Sequence, residues 1–279
     1  MWNTSSVARP AGTTRALWTV AVTVLLGSCI TGTGQSAGPS AGSPSAAVSP
    51  AASALASPTA QARYVALGDS TAVGILCECP AYPDILGQLA SQSFAQPVQW
   101  QNLAVVRTTS ADLLERLQAP IHRSALEAAD LITISIGIND INACGDEIDI
   151  GCYEGAINDM ASNLDAILNE IDALQAGHPH ALRATTYYNF KIGHPNVAEL
   201  GPSFQSFYAE QLAALNAAIC DRVTAHGGIC VDLVAIFNGA AGNQDAGPLL
   251  ASDHAHPSRE GHEAIADAIA ASGFVPPSD

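Results

Sequence analysis

The sequence predicts an α/β fold, a five-stranded parallel sheet with helices on both faces, and three observations carry that prediction. Five short apolar runs alternate along the chain with longer segments of helical period. Two of the runs, Tyr64-Val65-Ala66-Leu67 and Leu131 to Ile136, read as strands buried on both faces, as a parallel sheet requires. No internal repeat competes with this reading.

The first strand, Arg63-Tyr64-Val65-Ala66-Leu67, runs straight into Gly68-Asp69-Ser70. Residues 84–93 follow as a short helix with Ile85, Leu86 and Leu89 on one face, then a second strand over 98–103 and a helix from 112 to 117. The third strand is the β-branched run Leu131-Ile132-Thr133-Ile134-Ser135-Ile136. The strongest helical signal spans 153–176, where Ile157, Met160, Leu164, Ile167, Leu168 and Ile171 keep 3/4 spacing until Gly177 and Pro179. A fourth strand over 181–186, a helix over 206–226 stopped by Gly227-Gly228, and a fifth strand over 229–234 come next. A last helix covers 258–271, with Ser258 as its cap.

The chain has an address as well as a fold. Residues 1–28 carry Arg9 and Arg15, no acid, and the apolar run 16–26, too short to span a bilayer comfortably. They end in Leu26-Gly27-Ser28-Cys29, which resembles a bacterial lipoprotein processing site and makes Cys29 the expected lipidated residue. Residues 29–61, almost all Ser, Thr, Gly, Ala and Pro without charge, read as a tether. The folded domain is expected over 62–276. Export follows, to the cell surface on a lipid anchor or as a secreted protein.

The formal net charge of −16 argues against nucleic acid and against lying flat on an anionic membrane. With Cys29 set aside, Cys77, Cys79, Cys144, Cys152, Cys220 and Cys230 remain, an even number in an exported chain and so three expected disulfides. Local pairing joins Cys144 to Cys152 and Cys220 to Cys230, leaving Cys77 with Cys79 across a single residue. Without a CxxC pair or two histidines at i, i+4, neither metal nor cofactor is expected.

Three short motifs sit at strand ends that a parallel sheet brings to one edge. Ser70 offers a hydroxyl, which needs a base and a group to orient that base before it becomes a nucleophile. Asp253-His254-Ala255-His256 is the place where a histidine has an aspartate three residues before it. Gly137-Ile138-Asn139-Asp140 adds an amide N–H donor for a developing oxyanion. Separately, each reads as well as a turn.

In order and spacing these motifs resemble the first, third and fifth sequence blocks of the SGNH hydrolase superfamily, the GDSL esterases and lipases. The resemblance implies a flavodoxin-like, three-layer α/β/α sandwich. It also implies Ser70 as nucleophile, His256 as general base and acid, Asp253 as its orienting residue, and Asn139 with the Ser70 N–H as oxyanion donors. One block departs: Asn102-Leu103-Ala104-Val105-Val106-Arg107 puts Arg107 where the family has an oxyanion-hole glycine. The backbone N–H survives, but a positive φ there would strain arginine.

The implied activity is ester hydrolysis on a small-molecule or lipid ester, by a monomer, without cofactor. A glycan O-acetylesterase and a non-catalytic surface-anchored binding protein are the alternatives. Asp69 and Asp140 are expected to bond to turn backbone, and His254 to be a solvated neighbour. Tyr187, Tyr188, Phe190, Phe204, Phe207 and Tyr208 flank a Gly/Pro-rich stretch within 188–205, readable either as a lid or as local core.

Overall fold

The computed structural model describes residues 61–275. The signal-peptide and tether readings, Cys29 included, lie outside that range apart from Gln61. Among the described residues no helix is long and apolar enough to cross a membrane.

Five strands form one parallel sheet: β1 (Arg63–Gly68), β2 (Gln99–Asn102), β3 (Leu131–Ser135), β4 (Ala181–Thr185) and β5 (Ile229–Val231). Their order is β2-β1-β3-β4-β5, every neighbouring pair parallel. Among the described residues, nine helices connect or flank them: α1 (Ser70–Val73), α2 (Tyr82–Ser93), α3 (Ser110–Arg116), α4 (Pro120–Leu126), α5 (Ile138–Asn142), α6 (Ile150–Leu174), α7 (Gly201–Ala225), α8 (Val234–Asn238) and α9 (Arg259–Ala271). The expected three-layer sandwich is present.

Side chains alternate across β1 and so divide the core in two. Val65 and Leu67 pack with Ile132 and Ile134 against Leu113, Leu117 and the apolar faces of α6 and α7. Tyr64 and Ala66 face the other way, onto Tyr82 and Leu86 of α2 and Ile265 and Ile269 of α9. β3 is buried at every residue and β1 at every residue after Arg63, because both of their faces are covered; β2, the edge strand Gln-Trp-Gln-Asn, is exposed at every residue. Arg183 of β4 is buried, and its guanidinium is held by Ser272 and the carbonyls of Gly273 and Val275, which fastens the end of α9 to the sheet.

Several boundaries differ from the sequence reading for local reasons. Helix α6 starts at Ile150 because Asp149 caps it through the Cys152 N–H. Helix α7 starts at Gly201-Pro202, where proline fits the first turn. Strand β5 stops at Val231 because Leu233 N–H turns to the Thr186 hydroxyl instead of the sheet. Helices α1, α4, α5 and α8 are four to seven residues long, too short to show a period. The three disulfides join Cys77–Cys79, Cys144–Cys152 and Cys220–Cys230, as local pairing predicts.

Candidate active site

In a 2-1-3-4-5 sheet the chain reverses its winding between β1 and β3, and the crevice above their C-terminal ends is where ligands bind. Ser70 follows β1 and Asn139 follows β3, so both flank that crevice. The two strands stay paired up to Gly68 and Ser135. Gly68, at φ 147, lies so close that a Cβ would meet the Ser135 carbonyl oxygen at 2.4 Å. Glycine is therefore required there, and Asp69 N–H closes the junction on the same oxygen at 3.0 Å.

From that junction the chain turns directly into α1. Asp69 caps the helix, accepting from the Thr71 N–H at 2.9 Å, and its second oxygen accepts from the Tyr187 hydroxyl at 2.6 Å. Burial pushes the Asp69 carboxyl up to about 6, against the pull of those hydrogen bonds. Ser70, the next residue, presents its hydroxyl to the crevice while remaining 6% exposed.

The Asp253-His256 segment arrives from the opposite side. Asp253 Oδ1 accepts from the N–H groups of Ala255 and His256, both at 3.1 Å, which folds the segment into a tight turn. Asp253 Oδ2 lies 2.5 Å from His256 Nδ1, and His256 Nε2 lies 2.8 Å from Ser70 Oγ. Burial works against ionisation of Asp253, but the bonds from His256 and Ala255 outweigh it and hold the carboxyl below its usual range. A hydroxyl, an imidazole and an ionised carboxylate thus form one hydrogen-bonded line. Such a line can take a proton from Ser70 Oγ and stabilise the resulting imidazolium.

Asn139 and Arg107 border the same cavity. Asn139 Nδ2 donates to the Thr108 carbonyl at 3.0 Å, which fixes its orientation; an amide carries a second N–H. Arg107 adopts φ 62, the left-handed conformation that the sequence comparison with a glycine position anticipates. The loop that holds it is anchored by Asn102, whose Nδ2 donates to Ala72 O at 2.7 Å, and by Val105 N–H on Gly68 O at 3.0 Å. The Arg107 guanidinium is exposed and makes no ion pair among the described residues.

The fold and the spacing of these motifs coincide with one family model, that of the GDSL-like lipases and acylhydrolases, which matches residues 66–264. The chain belongs to the GDSL-like lipase/acylhydrolase family. It is a carboxylic ester hydrolase. Solved structures of similar fold include a lipase from a goat rumen metagenome, at 21% identity and TM-score 0.66, covering 77% of this chain and 99% of its own. An extracellular lipase from Streptomyces rimosus has 18% identity, TM-score 0.57 and coverage of 75% and 99%. An acetylxylan esterase from Geobacillus stearothermophilus has 18% identity, TM-score 0.57 and coverage of 78% and 97%. At these identities the likeness is one of fold. No curated protein matches the chain.

The cavity of this GDSL-like enzyme measures about 290 Å3 and is walled by Ile75, Val106, Ile138, Tyr187, Tyr188 and Phe190 beside its polar groups. Tyr187 and Tyr188 are two of the six aromatics that the sequence reading left between lid and core, and their part here is positional. Two asparagines grip the backbone after β4: Asn216 bonds both N–H and C=O of Tyr187, and Asn238 does the same for Asn189. Tyr188 stacks on Phe237 at 3.9 Å and donates to the Ala255 carbonyl at 2.8 Å, within the Asp253-His256 turn. Nothing in the local sequence marks Asn216 or Asn238, which lie on helices far along the chain. Phe204 and Tyr208 are buried on α7 and belong to the core.

Asp140 and His254 lie where the sequence reading expects them. Asp140 accepts from Ser110 N–H at 3.0 Å and from the Ser110 hydroxyl at 2.5 Å, tying the end of β3 to α3. His254 is exposed, its ring facing His194 at 6.0 Å rather than Ser70. Among the described residues, Cys77, Cys79 and His262 bring three potential metal-ligand atoms within 4.8 Å of one another. The two sulfurs are bonded to each other, however, so they offer no thiolate.

Proposed function

We propose that Ser70, His256 and Asp253 carry out the hydrolysis as a nucleophile, a base and its orienting carboxylate. The line of contacts from Asp253 Oδ2 through His256 to Ser70 Oγ carries this reading. Ser70 Oγ attacks the ester carbonyl as His256 Nε2 takes its proton. His256 then protonates the departing alcohol, leaving an acyl-enzyme on Ser70. Water, deprotonated by the same imidazole, releases the acid and restores the serine. The backbone N–H groups of Ser70 and Arg107 and the Asn139 amide serve as oxyanion donors, because all three residues border the cavity beside the Ser70 hydroxyl.

The acyl group lies along Ile75, Val106, Ile138 and Phe190, and the free Arg107 guanidinium favours acyl groups that carry a polar or acidic function. A glycan O-acetylesterase is the second reading, favoured by the modest cavity volume and its polar residues Asn139 and Asn142. Hydrolysis rates for esters of acetate through decanoate, set beside acetate release from acetylated polysaccharide, separate the two. Activity confined to acetyl groups on glycan selects the second reading, and equal or better rates on longer chains exclude it.

We further propose that the enzyme is exported and held at the membrane surface through lipidated Cys29, on the support of residues 1–29 alone. Replacement Cys29→Ser should abolish the incorporation of labelled fatty acid that the wild-type protein takes up.

A further inference from the structure

Helix α1 ends at Gly74, whose N–H bonds Ser70 O at 3.1 Å, and the chain then runs through Ile75, a wall of the cavity, into Leu76-Cys77-Glu78-Cys79-Pro80. This loop combines three unusual features. Its disulfide closes over a single intervening residue. Leu76 and Glu78 both hold left-handed backbone, φ 64 and φ 51, which costs a residue with a Cβ about 1–2 kcal/mol each. Glu78 is the residue enclosed by the ring.

The third feature lies beneath the loop. His262 of α9 is completely buried. Its Nδ1 accepts the Tyr82 N–H at 3.2 Å, so the proton of the neutral ring is on Nε2. That Nε2–H has no acceptor and faces the loop, 3.5 Å from where a Cβ on Gly74 would stand, and a ring nitrogen of His262 lies within 4.8 Å of the sulfurs of Cys77 and Cys79. A disulfide sulfur is a poor acceptor, whereas a thiolate is a charged one and accepts strongly. The buried donor therefore discriminates between the two redox states and favours the reduced one.

We propose that Cys77–Cys79, backed by His262, is a thiol–disulfide exchange site for an external dithiol, and that its state is passed to the cavity wall at Ile75. One thiolate of the dithiol attacks a protein sulfur, breaking the Cys77–Cys79 bond and forming a mixed disulfide while the other cysteine leaves as thiolate. The second thiol of the reagent resolves the mixed disulfide, so the reagent departs oxidised and cyclic. Both cysteines are left reduced, one as thiolate on His262 Nε2–H. Access is from solvent: Leu76 and Glu78 are exposed and both sulfurs belong to half-buried residues. The other two bridges differ. They join cysteines 8 and 10 positions apart, against 2 for Cys77 and Cys79, and no residue but glycine inside those rings has positive φ.

The test is a titration of the purified enzyme with mixtures of reduced and oxidised dithiothreitol, followed by alkylation and peptide mapping of all six cysteines. Cys77 and Cys79 should become alkylated at a reduced-to-oxidised ratio at least about tenfold below that which opens the other bridges. His262→Asn keeps an acceptor for Tyr82 N–H and deletes the Nε2 donor; its bridge should need about tenfold more reductant, the scale of one charged hydrogen bond. Glu78→Gly, on the exposed loop, relieves the ring and should also need several-fold more. Opening of Cys144–Cys152 or Cys220–Cys230 first, or titration of both variants like wild type, overturns the site. With ester substrate, the selectively reduced enzyme should show KM raised severalfold with kcat little changed, and an unchanged KM overturns the link to Ile75.

Discussion

The Tyr187 hydroxyl donates at 2.6 Å to Asp69, a carboxylate with no solvent exposure that immediately precedes Ser70. The next side chain, Tyr188, donates to Ala255 between Asp253 and His256. Two adjacent tyrosines at the end of β4 thus hold the serine turn and the histidine turn at a fixed separation. This is how a 2.8 Å contact between residues 186 positions apart is maintained.

Tyr187→Phe removes the hydroxyl while keeping the ring. Asp69 then loses a hydrogen bond to a buried charge, at a cost of about 2 kcal/mol in unfolding free energy. We expect kcat/KM to fall about tenfold, chiefly in kcat, because Ser70 loses its register with His256 while the cavity wall remains. Urea denaturation and steady-state kinetics on one substrate check both.

Two buried groups oppose each other in the pH dependence of stability. Asp69 rises from 3.8 to about 6 on folding, so its contribution is present below pH 3.8 and is lost as pH rises through 6. Burial lowers His262 from 6.5 to about 4, so its contribution is present above pH 6.5 and is lost as pH falls through 4. Each swing amounts to about 3 kcal/mol. In wild type they offset. Asp69→Asn should therefore show stability that rises more steeply with pH between 4 and 6.5 than wild type, and His262→Asn the reverse. Parallel curves for all three proteins would contradict the assignment.

Much of the candidate site was legible because the residues proposed to carry its chemistry are adjacent in sequence to strand ends. Ser70, Asn139 and the Asp253/His256 pair could be read directly, and so could the irregularity at Arg107, since a glycine position implies the positive φ that the structure shows. The supports were not legible. Asn216 and Asn238 grip backbone from distant helices, and Tyr187 reaches a residue 118 positions away. Long-range side-chain contacts of this kind leave no period and no local spacing. Helices α1 and α5 were missed for the opposite reason: each is a single turn fixed by the junction it leaves.

Arg107→Gly should raise unfolding stability by about 0.5–1 kcal/mol, because glycine adopts φ 62 without a Cβ penalty. The same change should lower kcat/KM on a carboxylate-bearing ester several-fold more than on a neutral ester of equal length. Equal changes on both would remove Arg107 from substrate selection.

Asp253→Asn keeps the shape of the turn but no longer stabilises the imidazolium or the required tautomer. We expect kcat to fall by on the order of 10^3–10^4. A loss below tenfold would mean that His256 is oriented by something else.

The most direct measurement is covalent capture of the nucleophile. Incubation with a fluorophosphonate should add one phosphonyl group, mapped by peptide mass spectrometry to Ser70, with esterase activity lost in proportion to labelling. Ser70→Ala should neither label nor turn over ester. Labelling at another residue, or turnover by Ser70→Ala comparable to wild type, would contradict the account.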